Sequence, residues 1–262
     1  MSAVVEFRRI AYSVPRDEGR LAILEDLSFT VDAGETLVLL GRSGSGKTTA
    51  LKMVNRLITP TAGEVLVEGK PTAAWDPIRL RRRIGYVIQE TGLFPHFTVA
   101  ENIGLVPRLE GWPAERIRAR VDELLEQLDL APGEFAGRYP HELSGGQRQR
   151  VGVARALAAD PPVLLFDEPF GALDPVTRLE VQRQFLALRK RLRKTAIFVT
   201  HDVREALMLA TRIGLMRAGR LEMLATPQEF VHERSAEARA FLACLDWKLE
   251  NDMESDAHRP VQ

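Results

Sequence analysis

The chain has 262 residues, 45% of them hydrophobic and 27% charged, and its 36 basic and 36 acidic side chains cancel to zero net charge. That length suits one large domain, or one domain with a sizeable insert, and the composition is that of an ordinary globular protein. The charge balance disfavours a nucleic-acid binder, the single cysteine excludes an intrachain disulfide or a cysteine-cluster metal site, and no run of 18 apolar residues is present to span a membrane. Cys244 is expected to be a small buried hydrophobe near the last helix. The amino terminus MSAVVEFRRI lacks the apolar length of a signal peptide, so a reducing, cytoplasmic setting is expected, with a membrane reached only through a partner. Two basic runs, Arg79–Arg83 and Leu188–Lys194, read as solvated faces.

In chain order, residues 3–14 and 22–41 read as strands with turns at 17–19 and 32–34, and TLVLL at 36–40 is a short apolar run ending in glycine, as in a buried strand. A helix from Lys47 to about Leu57 follows, then short strands near 64–67 and 86–88. From about 90 to 159 the character is helical. TVAENI opens on a capping box, Thr98 to Glu101. Pro113 opens the next helix, with apolar Ile117, Val121, Leu124, Leu125 and Leu128 at three- and four-residue steps and Pro132–Gly133 beyond its end. PVLLFDEP, TRLEVQRQFLALRKRL, TAIFVTHD, VREALMLA and RIGLMRAGRLEML then alternate strand and helix, which predicts a largely parallel sheet covered on both faces. One α/β domain over 1–247 is expected, with a helical segment inserted at about 90–160 and a polar tail at 248–262.

Gly41, Arg42, Ser43, Gly44, Ser45, Gly46, Lys47, Thr48 and Thr49 match G-x-x-x-x-G-K-[ST] after an apolar strand and before a helix. In such a loop backbone N–H groups wrap phosphate oxygens, Lys47 reaches the outer phosphates and the Thr48 hydroxyl ligates Mg²⁺. The paired acids of VLLFDEP end another apolar strand. Asp167 is the candidate second metal-side ligand, and Glu168 the candidate base for a water attacking a γ-phosphate. His201 follows the strand TAIFVT, where the carboxyl ends of parallel strands form a ligand crevice. In LSGGQRQRVGVARALAAD, Ser144 and Gln147 make a capping box that has no need of Gly145 and Gly146. Those glycines are either tolerated at a helix start or left bare for an anion to approach.

Together these stretches resemble the ATP-binding subunits of ABC transporters over nearly the whole chain, with the phosphate loop, LSGGQ, VLLFDEP, GALD and the histidine in the family's order. The resemblance implies the ABC form of the P-loop NTPase fold: a mixed sheet core, an antiparallel β subdomain and an inserted helical subdomain. It implies ATP and Mg²⁺, adenine stacked on Tyr12, Gln89 in the Mg²⁺ and water environment, and Asp174 against an opposing subunit. It also implies that Ser144, Gly145, Gly146 and Gln147 close over the ATP of a second copy placed head to tail. Larger side chains there would hold the two surfaces apart.

RRRIGYVIQETGLFPHFTVAENI followed by RYPHELSGGQ is similar to the importers of osmoprotectants, the quaternary amines glycine betaine, choline and related compounds. That branch implies a transmembrane permease, an extracytoplasmic substrate-binding protein and a place on the cytoplasmic face of the inner membrane. Phe94, Pro95 and Phe97 are expected either as an apolar notch for the permease or as packing inside the helical insert. The paired regulatory CBS modules of some members are not expected in this chain. Importers of amino acids and other solutes, exporter subunits, DNA-repair ATPases with long coiled coils and two-cassette translation proteins are the competing readings. The short, heptad-free insert and the single cassette disfavour the last two.

Overall fold

The computed structural model describes residues 3–17, 19–89, 92–192 and 194–245, with side chains omitted at 189–192. The chain opens with β1 (Ala3–Arg16), β2 (Gly19–Asp32), β3 (Thr36–Leu40), α1 (Lys47–Val54), β4 (Ala62–Val67), β5 (Lys70–Pro71), α2 (Pro77–Arg82) and β6 (Ile84–Val87). A helical stretch follows: α3 (Val99–Ile103), α4 (Leu105–Leu109), α5 (Ala114–Gln127), α6 (Pro132–Phe135) and α7 (Gly145–Leu157). The chain then returns through β7 (Val163–Asp167), α8 (Pro175–Leu192), β8 (Thr195–Thr200), α9 (Val203–Leu209), β9 (Arg212–Arg217), β10 (Arg220–Ala225) and α10 (Pro227–Phe230). Residues 236–245 are helical. The expected tail at 248–262 lies outside the described residues.

The strands form two sheets. One is antiparallel in the order β2-β1-β4-β5; the other runs β10-β9-β3-β8-β7-β6, parallel except at β10. Alternation along β3 explains the layering. Leu37 and Leu39 join a core with α1 and the antiparallel sheet, while Val38 and Leu40 face a second core built from α7, α8 and α9. Both faces are buried, so the strand reads as an uninterrupted apolar run. Phe166 and Phe198 stack at 4.1 Å between neighbouring strands, with Phe185 of α8 edge-on to both. The expected α/β architecture, with its antiparallel part and helical insert, is the one observed.

Several local expectations change. The first helix ends at Val54 rather than near Leu57: Arg56 turns left-handed at φ 54° and the Leu57 N–H donates to the Lys52 carbonyl. Pro132 does not merely follow a helix; it opens α6. RIGLMRAGRLEML is a hairpin, β9–β10, turning on Ala218 and Gly219 at φ 46° and 79°. Cys244 is exposed, not buried. The core face of its helix carries Ala238, Phe241, Leu242 and Leu245, and position 244 falls off that stripe.

Candidate functional site

Four loops leave the carboxyl ends of adjacent strands β3, β8, β7 and β6, and each carries one part of the expected site. After β3 comes the loop Gly41–Thr49. A side chain on Gly41 would collide with the Met216 carbonyl of β9, and Gly46, at φ 94°, sits where a Cβ would lie 2.6 Å from Leu24 Cδ2. Ser45 accepts from the Gly219 N–H at 3.2 Å, so the β9–β10 turn backs the loop. Gly44 has open space around it and needs its glycine for φ 79° alone. Tyr12 pairs with Leu24 across β1–β2, which places it beside the loop, half-buried against the antiparallel-sheet core.

Lys47 is buried, and its ammonium donates to the carbonyls of Gly41 at 2.7 Å and Arg42 at 2.9 Å. Burial pushes its pKa down, while the carboxylates of Glu168 and Asp167 pull the other way. The Thr48 hydroxyl donates to Asp167 Oδ1 at 2.7 Å, and the Tyr86 hydroxyl to Asp167 Oδ2 at 3.1 Å. Tyr86 pairs with Leu165 in the parallel β6–β7 ladder, so Asp167, two residues on, shares its face. Burial, with the Asp167 charge, raises the Tyr86 pKa and keeps the phenol a donor. Among the described residues no group of three or more His, Cys, Asp or Glu converges for a metal. A hydroxyl beside one carboxylate suits Mg²⁺, which takes few protein ligands and completes its shell with phosphate oxygens and water.

Glu168 stands in the left-handed region at φ 45°, a conformation that costs about 1–2 kcal/mol in a non-glycine residue. Its N–H donates to the Val199 carbonyl of β8 at 3.0 Å, which fixes the turn. His201 Nδ1 lies 3.2 Å from Glu168 Oε2, within ion-pair distance. Below His201, the Thr200 hydroxyl donates to Glu205 Oε2 at 2.6 Å and Gln182 Nε2 to Glu205 Oε1 at 3.0 Å, a buried network that sets the β8–α9 turn. Gln89 follows β6 on an exposed turn, and a Cβ on Gly171 would lie 3.8 Å from its Nε2, beside the backbone of Glu168. Phosphate loop, paired acids, histidine and glutamine thus meet within one chain.

Ser144–Gln147 and Asp174 are placed differently. The Ser144 hydroxyl accepts from the Gln147 N–H at 3.2 Å and Gln147 Oε1 accepts from the Ser144 N–H at 2.8 Å, the capping box read from sequence. Ser144 is exposed and bonds only within its own turn of helix. A Cβ on Gly146 would lie 2.5 Å from Cγ2 of Thr177 in α8, so a side chain there would have to displace that methyl inside the chain. Gly145 would meet only Leu173 Cδ2, at 3.5 Å. The two glycines therefore differ: Gly146 is crowded by its own chain, while Gly145 has ordinary contact only. Asp174 caps α8, accepting from the N–H groups of Val176 and Thr177; the Thr177 side chain first, then these backbone bonds, hold its pKa below the usual range. Val176 beside it is 70% exposed.

The loop after Gln89 is pinned by buried Asn102, which accepts from the Phe94 N–H and donates to the Phe94, Phe97 and Thr98 carbonyls. The Phe94 and Phe97 rings lie 5.3 Å apart, tilted at 37°, with Phe94 47% exposed and Pro95 exposed. Phe94 therefore packs only part of its ring inside the insert. Asn102, Tyr86 and Glu237, which pairs with Arg42 at 2.7 Å, went unrecognised in the sequence. Tyr86 acts through strand register and Glu237 through a long-range contact. Asn102 bonds residues 94, 97 and 98 nearby, and a polar residue on the apolar stripe of a capped helix was its signal.

Residues 24–171 match the family model described as ABC transporter. The chain is 49% identical over 220 residues to the choline transport ATP-binding protein OpuBA of Bacillus subtilis (strain 168), covering 84% of this chain and 58% of that protein. It is 52% identical over 211 residues to the osmoprotectant import ATP-binding protein OsmV of Salmonella typhimurium, covering 80% and 55%. It thus spans little more than half the length of these curated relatives. Among solved structures, the dimeric post-hydrolysis state of the ATP-binding cassette MJ0796 bound to ADP and Pi superposes with TM-score 0.76 at 33% identity, over 85% of this chain and 98% of that one. Among the described residues no helix is long and apolar enough to cross a membrane. By sequence and by fold, this chain belongs to the ABC transporter family.

Proposed function

We propose that the chain is the ATP-hydrolysing subunit of an importer for an osmoprotectant, a quaternary amine such as glycine betaine or choline. It works as a head-to-tail homodimer on the cytoplasmic face of the membrane, with a permease and an extracytoplasmic binding protein. The observation that carries the reading is the division of the site. Phosphate loop, Asp167, Glu168 and His201 converge in one chain, while the exposed Ser144 turn bonds only to itself.

In this reading the loop N–H groups and Lys47 hold the triphosphate, Tyr12 stacks on the adenine, and Thr48, Asp167 and Gln89 hold Mg²⁺, which neutralises charge building on the phosphate oxygens. Glu168 takes the proton of the attacking water. His201, with Nδ1 beside Glu168, offers its other nitrogen to the terminal phosphate. The Ser144 turn of the second copy brings a helix N-terminus to the same phosphate, where unpaired N–H groups and the helix dipole favour negative charge. Hydrolysis removes the group that both halves grip, and the copies part. Asp174 and exposed Val176 lie on the facing surface, and Phe94 with Pro95 offers the permease an apolar edge. The cargo reading rests on the names of the relatives.

The test is uptake of labelled glycine betaine and choline by cells with the chain deleted, restored, or restored as Glu168→Gln. Uptake lost on deletion and regained only with the intact chain is expected. Unchanged uptake of both solutes in the deletion strain would overturn the cargo assignment.

A further inference from the structure

Arg42, second residue of the phosphate loop, donates through Nε to Glu237 Oε1 at 2.7 Å. Glu237 is 7% exposed, whereas the Arg42 side chain is largely in solvent. The carboxylate sits in the first turn of helical residues 236–245. There the Ser235 hydroxyl accepts from the Ala238 N–H, and Glu233 accepts from the N–H groups of Arg234 and Ser235. Ala238, Phe241, Leu242 and Leu245 seat this helix on the core. Glu237 is therefore a fixed post and Arg42 the movable partner. Among the described residues Arg42 is the only side chain bonded to Glu237, and a carboxylate buried without its counter-charge is costly.

The tether reaches the loop's working parts. The Arg42 carbonyl accepts from Lys47 Nζ at 2.9 Å and from the Ser45 N–H at 3.2 Å. Holding the Arg42 side chain thus holds the carbonyl that places the ammonium. The same helix walls a cleft of about 520 Å³ in which Phe241 and Cys244 face His201 and Arg204. The helix thus bonds the phosphate loop through Glu237 and shares the cleft with the turn after β8.

We propose that Glu237 is a positioning residue of the phosphate loop: by anchoring Arg42 it pre-organises the loop for a triphosphate. It sets nucleotide affinity rather than the chemical step. This rests on the reading that the loop binds ATP.

The test is calorimetric MgATP binding and steady-state hydrolysis for the full chain as wild type, Arg42→Ala, Glu237→Gln and the double variant. Each single substitution is expected to weaken binding about five- to tenfold, raising KM with kcat unchanged, and the double to be no weaker than the worse single. Arg42→Ala is expected to lower the Tm by stranding Glu237, and adding Glu237→Gln to recover it, a pattern that a purely structural helix does not give. Additive losses in binding, wild-type affinity in Glu237→Gln, or a fall confined to kcat would overturn the proposal. Should Glu237→Gln fail to fold, Arg42→Lys, which keeps the charge but loses the Nε geometry, supplies the second reading. Weaker binding in it supports the tether, and wild-type affinity overturns it. A wild-type chain that binds no MgATP would instead overturn the functional reading, and this inference with it.

Discussion

The two ends of the candidate site are built on opposite plans. Around Lys47, Thr48, Asp167 and Glu168 the bonds tie several elements together. Thr48 and Tyr86 of β6 bond Asp167 of β7, and the Glu168 N–H bonds Val199 of β8. The turn after β9 backs Ser45, and Lys47 bonds the carbonyls of its own loop. Around Ser144 the bonds are those of a capped helix and nothing more. The first region is over-determined by its own chain and can be pre-organised for charge. The second is a finished helix end facing solvent, and only another surface can complete it. On the proposed function, the difference means that a single chain holds a binding site for phosphates but half of a reaction site.

That contrast can be broken from either side. The largest effect is expected from Lys47→Ala, which removes the buried ammonium from the over-determined half. MgATP binding measured by calorimetry should fall about a hundredfold or more, with turnover falling alongside. Ser144→Arg strikes the other half. Turnover should drop on the order of a hundredfold while nucleotide binding by a single chain stays within about twofold, because no bond of the phosphate loop involves Ser144. Tyr86→Phe sharpens the comparison by loosening one ligand support. With the bond to Asp167 Oδ2 gone, the Mg²⁺ concentration for half-maximal hydrolysis should rise about tenfold.

The smallest effect lies beneath His201. Burial raises the Glu205 pKa above its ordinary carboxylate value, opposed by the bonds from Thr200 and Gln182. The folded chain therefore keeps this proton to higher pH than the unfolded one. Its contribution to stability is present below the ordinary carboxylate pKa and is lost as pH rises through the folded value. Glu205→Gln escapes that loss. In urea titrations from about pH 4 to about pH 7, the difference in stability should move in favour of the variant as pH rises. A difference flat across that range would place Glu205 in a more solvated setting than the structure gives it.

What the sequence disclosed followed one rule. Features set by neighbours along the chain were legible: the phosphate loop between a strand and a helix, the capping boxes at Thr98 and Ser144, the paired acids ending β7. Alternating strands and helices sufficed for the two-faced sheet and the helical insert. Features set by distant neighbours were not legible. Nothing local tells that Tyr86 lands two residues short of Asp167 across a ladder, or that Glu237 reaches back to Arg42. Gly146 is the instructive case. Its motif suggested room for a second copy; a Cβ there would also crowd Cγ2 of Thr177 in its own chain, which no local pattern announces. Cys244 was misjudged because cysteine is usually buried, while the helix it sits on turns that position outward.

The most direct test of the divided site is sedimentation of the Glu168→Gln chain with and without MgATP, repeated with Ser144→Arg added. The account expects the mass to double when MgATP is supplied and to remain that of one chain once Ser144→Arg is present. A chain that stays single at saturating MgATP, or a dimer indifferent to Ser144→Arg, would contradict it.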